Sequence, residues 1–257
     1  METQTGVVQT EPQASLKGPA SATGMSNLPA ERRLLQRVFE RCGELIRQAC
    51  ATSSVPAEFL GALVANESGG CADASRFEPG VYRHLQAVAQ GRSRAYGSIN
   101  VAELDEEAAR QLPANDATLH ARYLTRPFAA NHAAEIQAVR EETLRELATS
   151  WGYTQIMGYH MIGQPWDVRH LLEPHFHFRM AIRLLSEFAV DYQLNPAGEF
   201  AEMFCCWNTG RPYGKTFDPH YVQKGLLRVQ IYRQLQRIQA GGRQAAASGA
   251  TAHPKHS

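Results

Sequence analysis

Glu67 follows Leu63 by four residues and Leu60 by seven, so on a helix over 56–68 it shares the stripe that faces the core. A carboxyl group at the buried end of such a stripe is desolvated, and desolvation raises its pKa. A carboxylic acid still protonated near neutrality can give its proton to a leaving sugar oxygen, the step a glycosidase needs. The same spacing fits a rim glutamate that reaches solvent past the helix end, and spacing alone leaves both readings open. Glu78, one loop later, is a second carboxylate candidate. It either faces Glu67 across a cleft, as two-carboxylate hydrolysis requires, or fixes its loop by pairing with Arg76 or Arg83. Asp73, after Gly69 and Gly70, reads more readily as a turn residue.

Aromatic rings offer flat faces for pyranose rings, and Trp151, Tyr153, Tyr159, Trp207 and Tyr213 fall in two short stretches. Tyr153 and Tyr159 are expected in a groove, whereas Trp207, in an apolar run, is expected in the core. His160, His170, His175 and His177 invite a zinc hypothesis. Residues two apart do not share a helix face, and neither a Cys pair nor a His-Glu-x-x-His motif accompanies them. Surface or capping roles are expected for these histidines, with no metal and no organic cofactor.

The elements that must carry these residues read as helices. Over 29–50, Leu35, Val38, Phe39, Cys42, Leu45, Ile46 and Ala49 recur at helical spacing opposite Arg37, Arg41, Glu44 and Arg47. Pro56 suits the first turn of the 56–68 helix, and Gly69 with Gly70 ends it. Asn100 and Glu103 have capping-box spacing, and Asn131 is expected to open a helix running to about 148. Further helices are expected over 174–193, 199–208 and 219–239, the second apolar almost all round. No strand longer than a short hairpin is evident, so the class is mainly α.

The 257 residues carry a net charge of +1, which does not suggest a nucleic-acid partner. Only four of the 26 cationic residues are lysine: Lys17, Lys215, Lys224 and Lys255. The remainder are arginine, suited to carboxylates and phosphates, although solvated helix faces explain them equally well. No apolar run approaches the ~18 residues of a membrane span. Five cysteines in no metal-like spacing read as small hydrophobes, Cys205 and Cys206 above all. Residues 1–27 read as a disordered arm and 241–257 as a disordered tail, leaving 28–240 as one domain. The N-terminus lacks the basic-then-apolar order of a signal peptide; export by a helper or a secretion machine, or a start at Met25, would account for that. Localisation stays open, and a monomer is expected.

Four stretches carry a resemblance. They are LGALVANESGG (60–70), RFEPGVY (76–82), SWGYTQIMGYHMIG (150–163) and FAEMFCCWNTGRPY (200–213). In this order they resemble lytic transglycosylases and goose-type lysozymes of the lysozyme-like superfamily, and most of all the phage-type N-acetylmuramidase endolysins. Those families share a Glu-Ser pair ending a buried helix, a Gly-x-x-Gln-Ile block and an aromatic-Asn-x-Gly block. The resemblance covers about residues 55–215 and implies a lysozyme-like helical domain acting on peptidoglycan glycan strands. It implies Glu67 as catalytic acid and places Glu78 in the matching Phe-Glu block. It further implies Ser68 as an orienting or substrate-binding residue, Gln155 and Asn208 as substrate-binding residues, and Tyr153, Tyr159 and Tyr213 along the groove. Two departures stand out. The third block reads Trp-Asn-Thr-Gly where the families have Tyr-Asn-Ala-Gly, and the 84–148 stretch is long enough for an inserted helical segment over the groove. A hydrolase leaving a reducing muramic acid, a transglycosylase leaving the 1,6-anhydro sugar, and an inactive glycan-binding protein all fit these blocks. A helical adaptor or virion-assembly role takes the blocks as chance packing, although a phage structural role could coexist with catalysis.

Overall fold

Residues 59–65 are buried without interruption, so the helix that holds them has no flank for water and must be surrounded. The structure, a computed structural model, describes the backbone of residues 28–110 and 133–249. The expected N-terminal arm, Asn131 and the end of the tail lie outside the described residues. The protein is mainly α. In chain order the elements are α1 (Leu28–Cys50), α2 (Ala57–Glu67), β1 (Ser75–Phe77), α3 (Pro79–Ala89), α4 (Val101–Arg110) and α5 (Ala133–Leu147). Then follow β2 (Thr149–Trp151), β3 (Ile156–Met157), α6 (Pro174–Asp191), α7 (Phe200–Thr209) and α8 (Tyr221–Gly249).

The buried helix is α2, and α1 and α8 pack along it. Gly61 is what lets α8 approach: a Cβ there would stand inside the ring of Tyr232, itself buried and edge-on to Phe39 at 5.2 Å. On another flank Phe59 meets Phe204 of α7 at 4.6 Å and Phe200 at 5.5 Å between ring centroids. Each such side chain removed from water contributes roughly 1.5–3 kcal/mol. At its C-terminal end α2 stops where Gly69 (φ 63°) and Gly70 (φ 88°) take left-handed conformations that a side chain disfavours.

The expected hairpin is a small antiparallel sheet in the order β1-β2-β3. Its register sets Arg76 opposite Ser150 and Ser150 opposite Met157, which brings the 76–82 and 150–163 stretches together. Between them, α3, α4 and α5 pack on one another. Asn100 Oδ1 accepts from the Ala102 and Glu103 amides, and Glu103 accepts from the Asn100 amide, the reciprocal cap expected from the sequence. Arg145 of α5 lies over Phe77 at 5.0 Å and Tyr82 of α3 meets the same ring edge-on, which fastens this segment to β1.

The last helix runs longer than its apolar pattern. It continues from the expected end at 239 to Gly249, through residues assigned to the disordered tail. Ala245, Ala246 and Ala247 favour helix, and no proline follows until Pro254. No helix among the described residues is long and apolar enough to cross a membrane.

Candidate active site

The end of α2, the sheet, the end of α7 and the start of α8 together enclose a cleft of about 1090 Å³. Glu67 lines it from the last turn of α2. The Tyr221 hydroxyl, from the first turn of α8, donates a hydrogen bond to Glu67 Oε1, while Oε2 has no hydrogen-bond partner among the described residues. Burial pushes the Glu67 carboxyl up to about 7; the Tyr221 hydrogen bond and the nearby Arg76 guanidinium pull the other way without cancelling it. Burial, with the Glu67 charge beside it, also holds the Tyr221 phenol well above its ordinary value, so it stays a donor.

Arg228, two turns along α8, fixes this pair from behind. Its guanidinium grips Glu31 of α1 at 2.7 and 3.0 Å, the Ala65 carbonyl at 3.1 Å and Asn66 Oδ1 at 2.8 Å. Asn66 in turn donates to the Tyr221 carbonyl at 3.3 Å. One arginine therefore ties α1, the end of α2 and the start of α8 around the carboxylate.

Of the two expectations for Glu78, the pairing with Arg76 is what the contacts show. Glu78 lines the cleft, and its Oε1 lies 2.6 Å from both Arg76 Nε and Nη2. Its backbone amide donates to the Ala148 carbonyl at 2.8 Å, which sets the residue at the edge of the sheet.

Gln155 lines the cleft, but its amide is taken up by the protein. Nε2 donates to the Ala74 carbonyl at 3.1 Å and the Gly152 carbonyl at 2.9 Å. Ser150 Oγ stands 2.9 Å from Gln155 Oε1 and 3.2 Å from the Arg76 carbonyl, and donates to one of them. Gln155 also carries φ 55°, a strained conformation for a residue with a side chain. Its role is to hold the β2–β3 turn, so it is a positioning residue. Beneath that turn is His177. The Thr154 amide donates to Nε2 at 2.9 Å, so Nδ1 bears the proton and donates to the Leu171 carbonyl at 2.8 Å. Full burial lowers its pKa to about 4 and keeps it neutral. It is therefore a core residue, where a surface or capping role was expected.

The other expected site residues divide. Tyr159 and Asn208 line the cleft. Tyr159 meets Tyr96 edge-on at 5.8 Å, and the Asn208 amide has no partner among the described residues. Trp207 is both core and wall: it packs on the core, lines the cleft, and donates from Nε1 to the Thr154 carbonyl at 3.0 Å. Tyr153 is not a groove residue. It is 7% exposed and stacked on Phe178 at 5.0 Å, because the turn folds its ring under the sheet. Tyr213, with φ 62°, is 80% exposed and is not among the residues that line the cleft. Ser68 does not line the cleft; its hydroxyl donates to the Tyr153 carbonyl at 2.6 Å and accepts from the Gly70 and Cys71 amides, closing the turn after α2.

Tyr96, His160, Tyr221 and Phe217 also line the cleft and were not anticipated there. No group of three or more metal-ligating side chains occurs among the described residues. No protein-family model, curated protein or solved structure matches this chain. The chemistry of the cleft therefore rests on its own geometry.

That geometry supplies one acid poised at neutrality in the cleft, with one oxygen unpaired among the described residues and a buried donor on the other. It also makes stability depend on pH. The ordinary glutamate pKa of ~4.3 applies to the unfolded chain, so between about 4 and 7 the native state holds more protons. The contribution is fully present below the unfolded value and is lost as pH rises through about 7, by up to about 3 kcal/mol. Glu67→Gln should escape this loss. In urea unfolding, its midpoint is expected to gain on wild type between pH 5 and pH 8.5; a gap that stays constant contradicts a buried, raised acid.

Proposed function

We propose that this protein cleaves the β-1,4 bond between N-acetylmuramic acid and N-acetylglucosamine in peptidoglycan, with Glu67 as general acid. The observation that carries the reading is the environment of Glu67: an acid with its pKa near 7, at the end of a buried helix, in a cleft large enough for several sugar rings. The four sequence blocks that resemble muramidases and lytic transglycosylases support the choice of substrate. Glu67 protonates the glycosidic oxygen from Oε2 while Tyr221 holds Oε1. Positive charge then develops at the sugar C1. Glu78, a carboxylate at the cleft wall, stabilises that charge or directs water to it.

One observation favours a second reading. Arg76 pairs with Glu78 and offsets its charge, which weakens it as a second catalytic group. Glu67 then acts alone, first as acid and then as base, and the muramyl C6 hydroxyl closes on C1 to give a 1,6-anhydro product. Mass spectrometry of muropeptides released from purified peptidoglycan separates the two. Reducing muramic acid ends are expected; products one water lighter establish the transglycosylase. The absence of any soluble product would reduce the protein to a glycan-binding one.

A further inference from the structure

Resting on that reading of the cleft, we propose that Lys215 and Phe217 form a subsite for a sugar residue bearing a carboxylate. The Phe217 ring covers the apolar face of the pyranose and the Lys215 ammonium pairs with the acid. The cleft then distinguishes acidic, peptide-substituted glycan from glycan of the same backbone without charge.

Charge accounting in the cleft points here. Of its carboxylates, Glu67 is held by Tyr221, Glu78 by Arg76, and Asp218 by Lys224 at 2.7 Å and the His220 amide at 2.9 Å. The cation Arg76 is thereby used. Lys215 lines the same cleft with no carboxylate partner among the described residues. Phe217, two residues on, is 102% exposed. A full aromatic ring left in water at the mouth of a cleft is unfavourable relative to a covered one.

The segment presenting both residues is anchored. It leaves α7 through Gly210 in a left-handed conformation (φ 76°). Gly214 lies so close to Thr209 that a Cβ would collide with its side chain. Thr216 Oγ1 donates to the Asp218 carbonyl at 2.7 Å, and Asp218 caps the turn into α8. Fixed points therefore stand immediately before Lys215 and on both sides of Phe217, two residues that line the same cleft. Such an arrangement matches a ligand with an apolar face and an anionic substituent side by side. The muramyl residue has both: a pyranose face and a lactyl-peptide chain rich in carboxylates.

The test compares wild type, Lys215→Met and Phe217→Ala on native peptidoglycan and on the same material with its carboxylates amidated. Lys215→Met is expected to raise KM on native wall by roughly three- to tenfold with kcat unchanged, and to match wild type on the amidated wall. Phe217→Ala is expected to weaken both substrates alike. Equal KM for wild type and Lys215→Met on native wall overturns the proposal. Sedimentation binding of the same proteins to both walls is read separately from cleavage, so the two readings fail differently. If nothing is cleaved, the glycosidase reading falls. A Lys215→Met loss of binding confined to native wall still supports the subsite, and equal binding refutes it.

Discussion

Glu67→Gln should lower the release of soluble muropeptides by about a thousandfold or more, within the range a positioned general acid contributes. That corresponds to about 4 kcal/mol of transition-state stabilisation. Glutamine keeps the shape of the side chain, and its carbonyl can still accept from Tyr221. What it lacks is the proton for the glycosidic oxygen. The variant should therefore bind peptidoglycan with near wild-type affinity while failing to clear it. The wild-type rate should fall as pH rises through about 7, when the buried carboxyl ionises. Turbidity clearing of purified walls between pH 5 and pH 9 measures both effects. Near wild-type clearing by the pure variant would remove Glu67 from the mechanism.

Arg228→Met should lose about 3 kcal/mol or more of stability, the scale for removing one partner of a buried ion pair. Arg228 and Glu31 are only 11% and 16% exposed, and the same guanidinium also satisfies the Ala65 carbonyl and Asn66. Methionine fills much of the volume but leaves the Glu31 charge with little water and no cation. Urea unfolding measures the loss, and the double variant Glu31→Leu with Arg228→Met should recover a large part of it. No recovery would mean that packing, rather than the stranded carboxylate, sets the cost. Activity should fall too, since Asn66 and Tyr221 lose their common anchor.

The helices were legible because their apolar residues recur at helical spacing, and α2 was placed to within a residue by Pro56 and the Gly69–Gly70 stop. Glu67 was legible for the same reason: it continues the buried stripe. Its partners were not. Tyr221 and Arg228 both lie on the last helix, seven residues apart on one face, but nothing in a single sequence says what that face meets. Tyr153 misled because an aromatic in a turn block fits a groove or a core equally; the His177 network beneath the turn decides it. Gln155 was found as a cleft residue, yet its bond to the Ala74 carbonyl spans 81 residues and exists only once β1 pairs with β2. Glu78 was left between two roles; the fold shows its pairing with Arg76 and places it on the cleft wall.

The Tyr221–Glu67 bond joins residues 154 apart, and the Arg228–Glu31 pair joins residues 197 apart. Contacts this distant form late, because the chain must close large loops before they can contribute. During synthesis α2 emerges from the ribosome long before α8 exists. Until α8 docks over Gly61, Glu67 stays hydrated, with an ordinary carboxylate pKa and no proton to give at neutral pH. The raised acid is thus made by the docking of α8, and until then Glu67 is carried as an ordinary hydrated side chain.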